Sequence, residues 1–322
     1  MKSKFFRGLF FCFLCFPPIL AAQTIDAVTA VNDQPSSSVI RINSNLVSVP
    51  VSVTNVSGQG ITDLKSEDFR LAEDGKPAEI SRLAESGQSN LNIALLFDVS
   101  GSLHNNFEFE QNAAIDFLKK IWKDGDAVTI ISFDEKVEVL LKNSDNLQEA
   151  MWTLRQLRPT EKPTTFFDSV ILATQLIDQY ASEENRQAII VITDGADNTS
   201  VGSLAAALSE MQRRNTVFYA INPSGASIRL NRINMKGQEN LEELAKATGG
   251  DVFVSDDAGD LEDIFSKIEV ELRSQYLLHY YSLNSNMDGK FHKIEVSIPK
   301  RPNLNIRARP GFLAVPRRTS DR

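Results

Sequence analysis

Four runs in the middle of this chain are apolar almost throughout: NIALLF at 92–97, AVTIISF at 127–133, QAIIVIT at 187–193 and TVFYAI at 216–221. A strand with one wet face alternates apolar and polar residues. A continuous apolar run suits a strand buried on both faces, as in a parallel sheet with helices on either side. Segments of helical period separate these runs, at 107–122, 145–157, 168–181, 204–214, 238–248 and 259–274. Strands and helices alternating at these lengths predict an α/β unit over residues 90–274, with a doubly wound, mostly parallel sheet. VEVLLKN at 137–143 adds an edge strand, hairpinned to the second run through FDEK.

On both sides of this unit the period changes to two. VIRIN and LVSVPVSVTN alternate as half-buried strands do, and DLKSEDFRLAEDGKPAEI supplies a strand, a turn at Asp74-Gly75 and another strand. After Gln275 come YLLHYYSL, FHKIEVSI and LNIRARPG, separated by the turn-rich NSNMDGK and PKRPN. Residues 39–86 and 275–315 are each too short for a core of their own. The expected solution is one β-sandwich completed by both segments, with the α/β unit inserted between them; slow growth of loop-closure entropy permits so long an insertion.

The chain opens MKSKFFRGLFFCFLCFPPILAAQ. Lys2, Lys4 and Arg7 precede a short apolar stretch, and Ala21-Ala22 offers a cleavage site, the layout of a signal peptide over 1–22. Polar residues 23–38 read as a flexible leader, and 316–322 as a tail. Both cysteines, Cys12 and Cys15, fall in the signal peptide, so an exported mature chain has neither a disulfide nor a thiolate metal site. Export to a periplasm or the exterior is therefore expected, with no membrane span after cleavage. The formal charge of −8 becomes −11 once those three basic residues are removed, which disfavours nucleic acid as a partner.

Ligands of open parallel sheets bind beyond the carboxyl ends of the strands. Two of the apolar runs end there in aspartate, Asp98 in IALLFDVSGS and Asp194 in IIVITDGADN. Ser100 and Ser102 follow Asp98 at alternate positions, and EKPTTFFDSV brings Thr164 and Thr165 to the start of a helix. Carboxylate and hydroxyl oxygens without Cys or His suit a hard cation. Mg²⁺ takes six oxygens and keeps water wherever the protein leaves a position empty. Asp194 is expected to bind directly or through water, and an open position would accept a carboxylate from a partner. Asp197 and Asn198 read as solvated loop residues.

D-x-S-x-S at Asp98, Ser100 and Ser102, a threonine in the second loop, and T-D-G at Thr193–Gly195 together resemble the metal-ion-dependent adhesion site of von Willebrand factor type A domains. The family's GGT is KPT here, at Lys162 to Thr164, so the resemblance makes Thr164 the ligand. The flanks, including GITDLKSEDFRLAEDGKP and KIEVSIPKRPNLNIRARPGF, resemble a bacterial exported subfamily, and the likeness extends over about residues 45–315. It implies a Rossmann-like α/β fold and a non-enzymatic module that binds a protein ligand through Mg²⁺, with Mn²⁺ or Ca²⁺ able to substitute. The implied metal ligands are Asp98, Ser100, Ser102, Thr164 and Asp194, and the protein ligand would donate an Asp or Glu carboxylate.

Two other classes compete. A serine hydrolase needs a positioned histidine; the candidates are His104, too local to Ser102, and His279 and His292, which fall in predicted strands where a half-exposed histidine is ordinary. A haloacid-dehalogenase-type phosphatase would also place an aspartate after the first strand, but it needs a second acid two residues on, where Ser100 stands. A metal-independent interaction protein is the third alternative, and chelation distinguishes it.

Overall fold

The computed structural model describes residues 46–84, 86–87, 89–100, 107–180, 182, 185–225, 228, 232–255, 259–282 and 288–314. All belong to one of the chain's two units, Ser44–Arg322. The expected signal peptide, leader, VIRIN strand and tail lie outside the described residues, as do Ser102 and His104.

The chain begins with β1 (Leu46–Thr54), β2 (Arg70–Glu73), β3 (Lys76–Ala78), β4 (Ile80–Ala84), β5 (Leu91–Asp98), α1 (Phe107–Ile121), β6 (Ala127–Phe133), β7 (Val137–Ser144), α2 (Leu147–Gln156) and α3 (Phe166–Asp178). It continues through β8 (Arg186–Ile192), α4 (Leu204–Arg214), β9 (Val217–Asn222), α5 (Arg232–Thr248), β10 (Asp251–Val254) and α6 (Asp260–Ser274). The last elements are β11 (Tyr276–Tyr281), β12 (Phe291–Ser297), β13 (Asn305–Ala308) and β14 (Gly311–Leu313).

The central six-stranded sheet has the order β10-β9-β8-β5-β6-β7, parallel except for β7. Its apolar runs are buried on both faces. Leu91, Ile93, Leu95 and Phe97 of β5 pack with α1, α2 and α6, while Ala94 and Leu96 pack with α3, α4 and α5. Each fully buried Leu, Ile or Phe here contributes about 1.5–3 kcal/mol of transfer free energy. The chain goes from β5 to β6 on one side, and β8 lies on the other. The crevice between β5 and β8 is thus the switch point where such sheets bind ligands.

The flanking segments combine as the alternation predicts. One four-stranded sheet runs β13-β1-β11-β4 and the other β14-β12-β2-β3, so each mixes strands from both ends of the chain. Val49, Val51 and Val53 of β1 share a core with Leu71, Tyr276, Leu278, Ile294 and Phe312. At the Asp74-Gly75 turn φ is 50° and 76°, the positive pair that a two-residue hairpin of type I′ requires. A single residue, Gln275, separates α6 from β11. No helix of the described residues is long and apolar enough to cross a membrane.

Candidate metal centre

β5 ends in Asp98, which is 1% exposed. One carboxylate oxygen, Oδ1, accepts the Ser100 amide at 3.0 Å, and Oδ2 accepts the Thr193 hydroxyl at 2.7 Å. Burial pushes this carboxyl up to about 6; bonds from Ser100 and Thr193 oppose the rise, and the Asp194 charge adds to it. The same Thr193 oxygen accepts the Gly195 amide at 3.1 Å. Thr193 therefore ties the end of β5 to the loop after β8, bringing Asp98 and Asp194 into one electrostatic site.

The third loop is stitched to the other two. The Thr164 carbonyl accepts the amides of Asn198 at 2.9 Å and Thr199 at 3.2 Å, and the Thr164 amide donates to Asn198 Oδ1 at 3.3 Å. Thr165 donates through both its amide and its hydroxyl to the Asp134 carbonyl, each at 2.8 Å. Asp134 follows β6, and its Oδ2 accepts the Thr160 hydroxyl, which also reaches the Val99 carbonyl. Lys162, standing where a glycine was expected, pairs with Asp134 at 3.4 Å and Glu135 at 3.1 Å.

Asp197 and Asn198 are not merely solvated. Asn198 holds Thr164, and Asp197 Oδ1 accepts the Phe167 amide and the Ser200 hydroxyl. The bonds to Thr164 and Phe167 join segments far apart in the chain and leave no pattern in the sequence. Glu110 also went unnoticed, although it carries a signal: it occupies the inward stripe of α1 with Phe107, Ala114, Phe117 and Ile121, where an acid is out of place.

The donors suit a hard cation. Among the described residues no hydrogen bond engages the Thr164 hydroxyl, and Asp194 uses Oδ1 alone, accepting the Ala196 amide at 2.9 Å. Thr164 and Asp194 are nonetheless buried, at 4% and 5% exposure. Oxygens left with acceptor capacity on these two buried residues make, with Asp98, an all-oxygen set without sulfur or imidazole, which is the preference of Mg²⁺, Mn²⁺ or Ca²⁺.

The sequence profile of the von Willebrand factor type A domain matches residues 92–267. The chain belongs to the von Willebrand factor type A family. Solved structures similar to it include BatB, a conserved hypothetical protein from Bacteroides thetaiotaomicron, 19% identical over 56% of this chain and 97% of that one, with a TM-score of 0.45. Another is proximal thread matrix protein 1 from the mussel byssus with a zinc-occupied MIDAS motif. It is 20% identical over 61% of this chain, with a TM-score of 0.49, and the match spans 48% of its length. An aerotolerance-related membrane protein from Bacteroides fragilis is 18% identical over 57% of this chain and 98% of that one, with a TM-score of 0.45. No curated protein matches the chain.

Outside the type A domain's rim, Glu73, Asp74 and His292 of the sandwich bring potential ligand atoms within 4.8 Å of one another. His292 already directs Nδ1 to Asp74 at 2.7 Å and Nε2 to Asp288 at 3.2 Å. With both nitrogens facing carboxylates, an imidazolium satisfies the group without a metal. Neither strand histidine is half-exposed as expected: His292 is 5% exposed and His279 fully buried. Arg82 can only donate to His279 Nε2, so Nδ1 carries the proton toward Ser48.

Proposed function

We propose that this is an exported, non-enzymatic protein that binds a protein partner through a divalent cation at the type A domain's switch point. Asp98, Ser100, Ser102 and Thr164 would hold the ion, with Asp194 bound directly or through water. Mg²⁺ is favoured, because few charges and several hydroxyls suit a small, partly hydrated ion, and Mn²⁺ or Ca²⁺ could substitute. When bound, the ion would offer an electrophilic position to an Asp or Glu carboxylate of the partner. The observation that carries this reading is a buried Asp98 tied through Thr193 to the loop of Asp194, with Thr164 and Asp194 buried residues whose side-chain oxygens the protein leaves under-used.

Titration calorimetry of Mg²⁺ and Mn²⁺ into the metal-stripped chain, beside a folded Asp98→Ala variant, tests it. Saturable binding near one equivalent, lost in the variant, is the expected result. No binding at millimolar metal would make Asp98 and the serines a capped loop, and the protein a metal-independent interaction module.

A further inference from the structure

Along β2 the side chains alternate outward and inward, and the two inward positions are Leu71 and Glu73. An acid stands where the sandwich core calls for an apolar residue. Glu73 is 2% exposed. Its Oε1 accepts the Ser282 hydroxyl at 2.8 Å, but its Oε2 is buried without a hydrogen-bond partner. The buried Tyr280 hydroxyl, on which the Glu73 charge acts, makes no hydrogen bond either. Such an oxygen bears the full cost of desolvation, and buried charges are normally paired or bound to metal.

Two neighbours stand beside it. The turn at Asp74-Gly75 brings Asp74 against β12, where Oδ1 accepts the Lys293 amide at 2.9 Å. Asp74 Oδ2 lies 2.7 Å from His292 Nδ1, and Nε2 of the same ring lies 3.2 Å from Asp288. With no ion bound, an imidazolium balances the charge of Asp74 and Asp288, while Glu73 Oε2 stays without a donor. A metal-binding histidine gives one ring nitrogen to the ion and donates from the other to a carboxylate. His292 is held in that relation, with Asp288 as the orienting carboxylate.

We propose that Glu73, Asp74 and His292 form a second cation site, in the sandwich, whose ion is Zn²⁺. One donor atom from each lies within 4.8 Å of the other two. Around a tetrahedral Zn²⁺ such donors sit roughly 3.3 Å apart, a difference that side-chain rotation closes. The ion would take the place of the Nδ1 proton, satisfy Glu73 Oε2 and keep water in its fourth position. Imidazole beside two carboxylates favours Zn²⁺ over Mg²⁺ and Ca²⁺, which separates this site from the all-oxygen set at the rim. β2 belongs to the segment before the α/β unit and β12 to the segment after it. The ion would therefore clamp the two flanks of the insertion to each other.

Calorimetry of Zn²⁺ into the metal-stripped full chain tests the site, comparing wild type, Glu73→Gln, Asp74→Asn, His292→Gln and Asp98→Ala. Thermal midpoints are read with and without Zn²⁺. Asparagine accepts the positive φ of the turn, so Asp74→Asn gives a folded variant even if Glu73→Gln does not. Wild type and Asp98→Ala should share one Zn²⁺ equivalent. Each folded sandwich variant should bind that equivalent at least about tenfold more weakly and lose the accompanying rise in midpoint. Unchanged Zn²⁺ affinity in the folded sandwich variants would overturn the proposal, whatever Asp98→Ala does. Binding at millimolar Zn²⁺ alone would mark adventitious surface coordination and overturn it too. A chain that takes up this Zn²⁺ equivalent but no Mg²⁺ would support the sandwich site and remove the rim reading.

Discussion

Thr193 is fully buried, yet its hydroxyl serves two loops at once, donating to Asp98 and accepting from Gly195. Thr193→Val keeps the shape and strips both bonds. It should lower unfolding free energy in urea by about 1–3 kcal/mol and weaken Mg²⁺ binding, while Thr193→Ser restores both. His292 makes a separate prediction. Its hydrogen bond to Asp74 holds its pKa above the ordinary histidine value, with burial opposing and Asp288 assisting. Its contribution to stability is therefore complete below the unfolded pKa and lost as pH rises through the folded one. Asp74 and Asp288 are lowered, chiefly by His292 and by the Lys290 amide respectively, so their contribution is present above the unfolded carboxylate range and lost in acid. Glu73 lies in the same cluster. Thermal midpoints should fall from about pH 6 to pH 8 more steeply in wild type than in His292→Gln; equal slopes would remove His292 as the cause. At this scale the sequence reveals what is contiguous. D-x-S-x-S and T-D-G stand out because each sits at one strand end. Asn198, Asp134 and Lys162 act across loops far apart in the chain, and nothing in their neighbours marks them.

Between elements, the closest approach near the rim is that of α5 to the loop after β8. A Cβ on Gly237 would lie 2.3 Å from the Asp194 carbonyl oxygen. Gly195, at φ +76°, faces the Gly237 carbonyl just as tightly. Gly237→Ala must push α5 and the Asp194 loop apart. It should cost about 1–3 kcal/mol in urea unfolding and reduce metal affinity, since Asp194 moves with the loop. A variant with unchanged stability and affinity would mean that the contact relaxes freely. Gly237 also bears on what the sequence concealed. Glycine and the polar run RINMKGQEN hid the first turns of α5, which begins at Arg232 rather than near 238. β10 and β14 are four and three residues long, too short for periodicity to register. The buried strands of the central sheet were legible because two-sided burial leaves an unbroken apolar run, and the edge strand β7 because a short hairpin joins it to β6.

For the whole molecule, one charged cluster spans the junction between sandwich and α/β unit. Arg307 of β13 meets both oxygens of Glu271 on α6, at 2.8 and 3.0 Å, and Asp251 at the start of β10 at 3.0 Å. Glu271 is mostly buried, and its pKa stays raised by that burial even though Arg307 pulls it down. Arg307→Met leaves this acid without its cation and should cost about 1–3 kcal/mol, given the partial exposure of the arginine. Adding Glu271→Gln should recover part of that loss in a double-mutant cycle by urea denaturation. Interleaving of both chain ends in the sandwich has a mechanical consequence. β1 is bonded directly to β13, which leads on to β14. Tension applied through the chain flanking residues 46 and 314 can cross that ladder without running along the intervening polypeptide. The rim that carries Asp98 then hangs beside the stressed route, and traction on the flanking chain would strain the seam of the sandwich before it reached that rim.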